Sequence, residues 1–353
     1  MFGFFRFGLA LLVMIYHLSG LHVTGWYSVY AFYALSGYLM TLVITRKYAL
    51  SAAGVANFAI NRGLRIYPPY LVVVISSVVL LSLPQFAPAA KSLIQAPDIG
   101  MPESARSWFE NVFIVGWRMS EPKLVPQVWT VFRELFYCGL IFLVFGRFRW
   151  VALAWFLGSV AYAVFAVSSG KGFVEIYTSF QSASLAYSAG SCMYHFHERL
   201  RVLTRPIVPL LGITIAAPFA LEAIRPQFFS HTHLLPFYCN VALGCYLILL
   251  LSTLKGSKRV RALDQYFGNL SYPIYLCHFN VGVVVAVLCG IPTEHSILLL
   301  GASLVPTLAG AWLINRYVER TIGYGLDHRG QPWFGATEKT ARGTVAAPKA
   351  QPA

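Results

Sequence analysis

Two histidines, one glutamate and a pair of arginines carry most of the chemistry this sequence offers. His17 follows Arg6 by eleven residues in the stretch RFGLALLVMIYH. Eleven residues at about 100° each make three turns and roughly 20° more, so the two side chains share a helix face about 16 Å apart. An imidazole titrates around 6.5 and suits general acid–base work. In the middle of an apolar run it is costly unless retained for a reason. A simple hydrogen bond to a neighbouring helix is the plainer reading. Glu134 adjoins Arg133 in VWTVFRELFYCG. Neighbours on a helix point about 100° apart, so these two cannot neutralise each other and each needs a partner elsewhere. His17, at similar depth, is the expected partner of Glu134, with a purely structural ion pair as the alternative.

Three further groups stand out. In GNLSYPIYLCHF, Ser271, Tyr275 and His278 recur at i, i+4 and i+7, one polar stripe on an apolar helix that brings a second histidine near the midplane. In NRGLRIYPPYL, Arg62 and Arg65 stand at i and i+3 and face the same way. Pro68 and Pro69 are expected to open the next helix, whose free amides and two guanidiniums would suit a phosphate. Lipid headgroups would satisfy the same arginines. In YAFYALSGYLM, Ser36 and Gly37 form either a small-residue packing seam or a point of close ligand approach.

The elements that position these residues follow from composition. The chain has 353 residues, of which 57% are hydrophobic and 11% charged. A soluble domain carries about 25% charged residues, so an all-α integral membrane protein in a lipid bilayer is implied. Apolar runs long enough for a span occur at 4–22, 27–45, 67–83, 125–145, 150–169, 178–196, 206–222, 234–254, 269–289 and 296–315. About ten transmembrane helices are therefore expected, forming one domain over 1–326. The first run resembles a signal peptide but has no obvious small-residue cleavage site, and is expected to be a retained helix. The segment 84–124 is expected as an extracytoplasmic loop, and 327–353, rich in Ala, Pro, Gly and Thr, as a disordered cytoplasmic tail.

The formal net charge of +14 is a topology signal. With both termini cytoplasmic, twenty of the 27 Lys and Arg fall in inside segments and six in outside ones, Arg133 lying within a span. That placement argues against a nucleic-acid partner. The six cysteines all lie in apolar runs without a CxxC or Cys–His spacing, so they are expected to be reduced packing residues, and no metal is expected. His195 and His197, and the loop residues His231 and His233, are expected at interfaces. A glycan or anion transporter would also place polar residues at the midplane, but no internal repeat is visible.

Taken in order, the motifs resemble the acyltransferase 3 family, integral-membrane acyltransferases of bacterial surface polysaccharides and related glycans. The matching pieces are R-x10-H (Arg6, His17), FxxxSGY (Phe32, Ser36, Gly37, Tyr38) and RxxRIxP (Arg62, Arg65, Ile66, Pro68). WTxxxE with a following FY (Trp129, Thr130, Glu134, Tyr137), SYxIYLxH (Ser271, Tyr272, Tyr275, His278) and VER (Val318, Glu319, Arg320) complete the series. Ser28, Val29 and Tyr30 stand where many members have Gly-Val-Asp, and Thr130 replaces a serine, which shifts the expected acidic role to Glu134. With no hydrolase-like domain after the last helix, a stand-alone transferase is expected.

The resemblance implies a bacterial inner-membrane enzyme that takes an acyl group from acyl-CoA, most often acetyl-CoA, on the cytoplasmic side. It implies a glycan hydroxyl as acceptor. His17 would be the base, Glu134 its orienting carboxylate, and Arg6, Arg62, Arg65 and Ser36 the donor-binding residues. Tyr275 or His278 would donate to the oxyanion or to the leaving thiolate.

Overall fold

The computed structural model describes residues 1–19, 22–93, 99–115, 121–204, 217, 233–293 and 297–321. Among these the chain is helical, apart from one isolated bridge between Ile99 and Lys123. Eight of the described helices are long and apolar enough to cross a membrane, and the chain is an all-α integral membrane protein. The spanning elements are α1 (Phe2–Ser19), α2 (His22–Lys47), α3 (Ala52–Ser82), α6 (Trp129–Leu140, continued as a π-helical turn over Ile141–Phe145) and α7 (Arg149–Ser168). They continue with α11 (Leu234–Thr253), α12 (Lys258–Cys289) and α13 (Ile297–Ile314, extended by a π-helical turn over Asn315–Glu319). Between them lie short helices α4 (Phe86–Leu93), α5 (Ala105–Phe113), α8 (Phe173–Thr178) and α10 (His197–Leu200).

The expected run 178–196 is helix α9 (Phe180–His195), whose 16 residues make about 24 Å, short of a ~30 Å hydrocarbon core. It packs against α2 and α7. A helix enclosed by protein needs no apolar outer face, which explains its Ser, Ala and Gly content. Two glycines set the approach of α9 to α2: a Cβ on Gly190 would lie 2.0 Å from the Ala34 carbonyl oxygen, and one on Gly37 would lie 2.2 Å from that of Tyr187. Gly37 is thus the packing seam expected from its motif. The expected run 206–222, apart from residue 217, and the tail 327–353 lie outside the described residues.

Two expectations are corrected. No helix opens at Pro68: α3 runs unbroken from Ala52 through Pro68 and Pro69 to Ser82. Its N-cap is Ser51, whose side chain accepts from the Gly54 amide at 3.1 Å. Proline inside a helix forfeits a backbone bond, a loss that neighbouring groups offset inside a membrane bundle. The Tyr272 hydroxyl also donates to the Ile66 carbonyl at 3.1 Å, tying α12 to α3 beside the prolines. The second correction concerns 84–124, which is more than an external loop. The Tyr67 hydroxyl donates to the Phe113 carbonyl at 2.5 Å, and Tyr70 donates to the carbonyl of Asn111. Tyr67 lies roughly 22 Å along the helix axis from Ser82, so α5 descends beside α3 into the bundle. Its return limb is tied by Asn111, which donates to the Pro122 carbonyl (3.2 Å) and accepts from the Leu124 amide (2.9 Å). Ile114, Leu124 and Val125 are buried in the same core as Val13, Tyr70 and Tyr275.

Helices α1 and α12 run parallel and in register. The Phe4 amide donates to Asp264 Oδ1 at 2.9 Å, a pair 260 positions apart, and His17 meets His278 at a separation of 261. Thirteen residues of α1 and fourteen of α12, about 20 Å, separate these contacts, a drift of one residue. Glycine permits the approach at both ends. A Cβ on Gly268 would lie 2.7 Å from the Gly3 Cα, and one on Gly282 would lie 2.5 Å from Leu18 Cδ2. Asp264 also answers the unpaired amides at the start of α1, where a carboxylate is favoured.

Candidate active site

The register of α1 and α12 brings the two histidines together, His17 from the last turn of α1 rather than its middle and His278 from eleven residues before the end of α12. His17 Nδ1 and His278 Nε2 are 2.7 Å apart. Their ring planes are inclined by only 9° with centroids 5.0 Å apart, so the bond runs close to the plane of both imidazoles. His278 is fully buried, and its Nδ1 lies 2.9 Å from the Ile274 carbonyl, one turn back on the same helix. A carbonyl oxygen only accepts, so His278 Nδ1 carries the hydrogen and Nε2 offers its lone pair. His17 Nδ1 must then be the donor, which makes Nε2 of His17 the basic nitrogen. A backbone carbonyl thus sets the tautomer of one histidine, which sets that of the other.

Glu134 is not the partner of His17. Its Oε1 accepts from Ser36 Oγ at 3.1 Å and lies 3.7 Å from Arg62 Nη1. Ser36 projects from α2, Glu134 from α6 and Arg62 from α3, so the three helices converge on one carboxylate oxygen. The physical reason is charge: a guanidinium directed inward along α3 outcompetes a neutral imidazole for the nearest carboxylate. Arg62 also reaches Met40 and donates to Cys138 Sγ at 3.4 Å. Glu134 retains 34% of its side-chain surface and Arg62 14%, so Glu134 is the less enclosed of the two.

Toward the N-terminal end of α1, the charges gather. Arg6 lies in the electrostatic field of Arg65, Asp264, Glu134 and Glu319, and Arg65 in that of Arg62 and Glu319. Glu319 accepts from Asn315 Nδ2 at 2.6 Å. The Arg6 guanidinium lies over Gly268, where a Cβ would come within 2.8 Å of Nη2, and its buried Nε has no hydrogen-bond partner. Three arginines from α1 and α3 therefore share one end of the bundle with two acidic side chains, Asp264 and Glu319.

A family model described as an acyltransferase domain matches residues 2–316. The chain belongs to the acyltransferase 3 family. It is therefore a membrane acyltransferase, and the transporter reading falls. No curated protein and no solved structure matches the chain significantly.

Within this acyltransferase, Tyr275 takes a different part from the donor expected of it. Its hydroxyl donates to the Gln127 carbonyl at 2.7 Å and lies 2.6 Å from Thr130 Oγ1. A tyrosine has one hydroxyl proton, and here that proton is in use. Gln127 in turn donates to the Leu276 carbonyl at 2.9 Å. These bonds lock the start of α6 to α12, one turn from His278. Gln127 escaped sequence reasoning, although a lone amide before the WT pair in an apolar run was a usable sign. Asp264 and the glycines Gly3, Gly268 and Gly282 escaped as well, because nothing local in the sequence marks a cross-helix approach. Ser271 donates to the Gly268 carbonyl at 2.7 Å and stays within its own helix.

Proposed function

We propose that this acyltransferase moves an acetyl group from acetyl-CoA to a hydroxyl of a glycan, working in a bacterial inner membrane with its termini on the cytoplasmic side. The observation that carries the reading is the hydrogen bond from His17 to His278, whose fixed tautomer makes His17 Nε2 the basic nitrogen. In the proposed step the acceptor hydroxyl gives its proton to Nε2 as its oxygen bonds to the thioester carbonyl carbon. The C–S bond then breaks, and the departing CoA thiolate takes the proton back from Nε2. His278 orients His17 and accepts the hydrogen bond that strengthens when His17 becomes an imidazolium, the part a carboxylate plays in a serine–histidine–aspartate triad.

The donor side of the proposal rests on the charged end of the bundle. Arg6, Arg62 and Arg65 would hold the phosphates of CoA, for which guanidinium forks are well matched. The pantetheine arm would then reach past Ser36 and Glu134 toward His17. Supporting this path, Glu134 and Arg62 keep accessible surface in the middle of the bundle. Tyr275 holds the seam between α6 and α12 in this scheme and takes no proton.

The test is thiol release from acetyl-CoA by the purified protein in proteoliposomes, with and without a glycan acceptor, and with His17→Ala in parallel. Acceptor-dependent release that His17→Ala abolishes at equal abundance is the expected result. Full activity in that variant removes His17 as the base, and release indifferent to any glycan removes the acceptor class.

A further inference from the structure

Arg133 has no place in the reaction just described, yet it is among the most buried charges of the protein. Its residue exposure is 7%. The guanidinium stacks over the Trp129 ring with its carbon 4.4 Å from the centroid, and Nη2 donates to the Thr178 carbonyl. No carboxylate pairs with it among the described residues, since the adjacent Glu134 is turned to Ser36 and Arg62. Nη1 is buried without a hydrogen-bond partner. The Tyr33 hydroxyl faces the guanidinium as its polar neighbour, but at Nη1 no well-formed hydrogen bond closes among the described residues.

Position narrows what this group is for. α6 begins at Trp129, which meets Tyr177 at 5.7 Å between ring centroids, and Tyr177 in turn meets Tyr30 near the start of α2. Arg133 therefore lies one turn into α6, on the side of Glu134 that leads away from Arg6, Arg65 and Glu319. The guanidinium that carries the unpartnered Nη1 lies on the Trp129 ring, which is partly exposed and meets Tyr177. Aromatic faces beside a directed cation are a surface for a sugar ring that carries negative charge.

We propose that Arg133 is a binding residue for the acceptor, reading an oxyanion, carboxylate or phosphate, attached to a sugar ring that lies against Trp129. This deepens the acyltransfer reading and rests on it for the word acceptor. The binding itself is independent of acyl transfer. An uncompensated guanidinium in a low-dielectric interior is costly alone and strongly favourable once paired, so the charged ligand recovers what the empty site lacks. A neutral sugar would supply a hydroxyl to Nη1 but no compensating charge.

The experiment measures binding to the full chain in phosphatidylcholine nanodiscs without any acyl donor. The probes are methyl glucuronide, glucose 1-phosphate and methyl glucoside. Charge-assisted hydrogen bonds are worth enough that wild type should bind a charged probe about ten- to a hundredfold tighter than methyl glucoside. Preference for methyl glucuronide identifies an acidic sugar, and preference for glucose 1-phosphate a phosphate-linked one; either supports the proposal. In Arg133→Gln the preference should vanish, while CoA binding, measured alongside as a check on folding, stays within twofold. If Arg133→Gln does not fold, Arg133→Lys keeps the charge without the fork and should retain part of the preference. Equal binding of charged and neutral probes by wild type, no binding of any of the three, or an unchanged preference in either folded variant overturns the proposal. Charged-sugar binding without acetyl transfer to any glycan would instead count against the acyltransfer reading alone.

Discussion

The histidine pair makes the sharpest demand on experiment. Replacing His278 with Leu keeps a buried side chain of apolar type but removes the acceptor for His17 Nδ1–H. That hydrogen bond is 2.7 Å long and lies almost in the plane of both rings. Leaving a buried donor without its partner costs about 1–3 kcal/mol. The loss enters the barrier because the bond strengthens as His17 takes a proton. At about 1.4 kcal/mol per decade, kcat should fall roughly five- to 150-fold. His17→Ala, which deletes the base, should cost more, about a hundred- to ten-thousandfold. His278→Gln places an amide oxygen at a reach similar to that of Nε2, and should stay within about tenfold of wild type by the same hydrogen-bond magnitude. Single-turnover transfer from acetyl-CoA, at matched abundance and with thermal unfolding as the fold control, reads all three. The double variant His17→Ala/His278→Leu should be no slower than His17→Ala, because His278 acts only through His17. A wild-type rate in His278→Leu, or a further large loss in the double variant, would refute the dyad.

Other consequences are checked separately. Arg62→Lys and Arg65→Lys should each raise KM for acetyl-CoA with a smaller effect on acceptor KM, since an ammonium keeps the charge but loses the fork; unchanged donor KM in both would return these residues to structural roles. Gly190→Val should lower the unfolding temperature in detergent by the equivalent of at least about 1–3 kcal/mol, because even its Cβ would meet the Ala34 carbonyl at 2.0 Å; wild-type stability would mean that α2 and α9 separate freely. Sealed inside-out vesicles given external acetyl-CoA should acetylate a glycan trapped in their lumen, and modification of external glycan alone would overturn two-sided access while sparing the acyltransferase.

The membrane frame was legible in the sequence because span length and apolar composition are local properties. Eight described helices are long and apolar enough to cross a membrane. His17 and His278 were legible as polar residues on apolar helices, but their mutual contact was not, and α1 ends two residues after His17 instead of continuing past it. It depends on the offset between α1 and α12, which Gly3, Gly268, Gly282 and the Phe4–Asp264 bond determine together. The error over Glu134 has the same origin. Depth put it level with His17, whereas its actual partners, Ser36 and Arg62, come from rotations of α2 and α3 that depth does not encode. The prolines misled for a different reason. Pro68 and Pro69 break helices in water, but in a bundle that supplies other donors and acceptors α3 continues through them.

Register also explains how one end of the bundle can serve the other. α1 carries Arg6 among the charges of one end and His17 about 16 Å further along the same face. α12 repeats the arrangement, with Asp264 at that end and His278 further along. A shift of α1 along α12 by one turn would part the two histidines and unseat the Phe4 amide from Asp264 at the same time. The cap at the charged end and the hydrogen bond between the histidines therefore form or fail together. A group bound among Arg6, Arg65 and Glu319 bears on that register directly, because the Arg6 guanidinium rests against Gly268 of α12. In the proposed reaction, occupation of the donor end and alignment of the base are then two readings of a single helix pair.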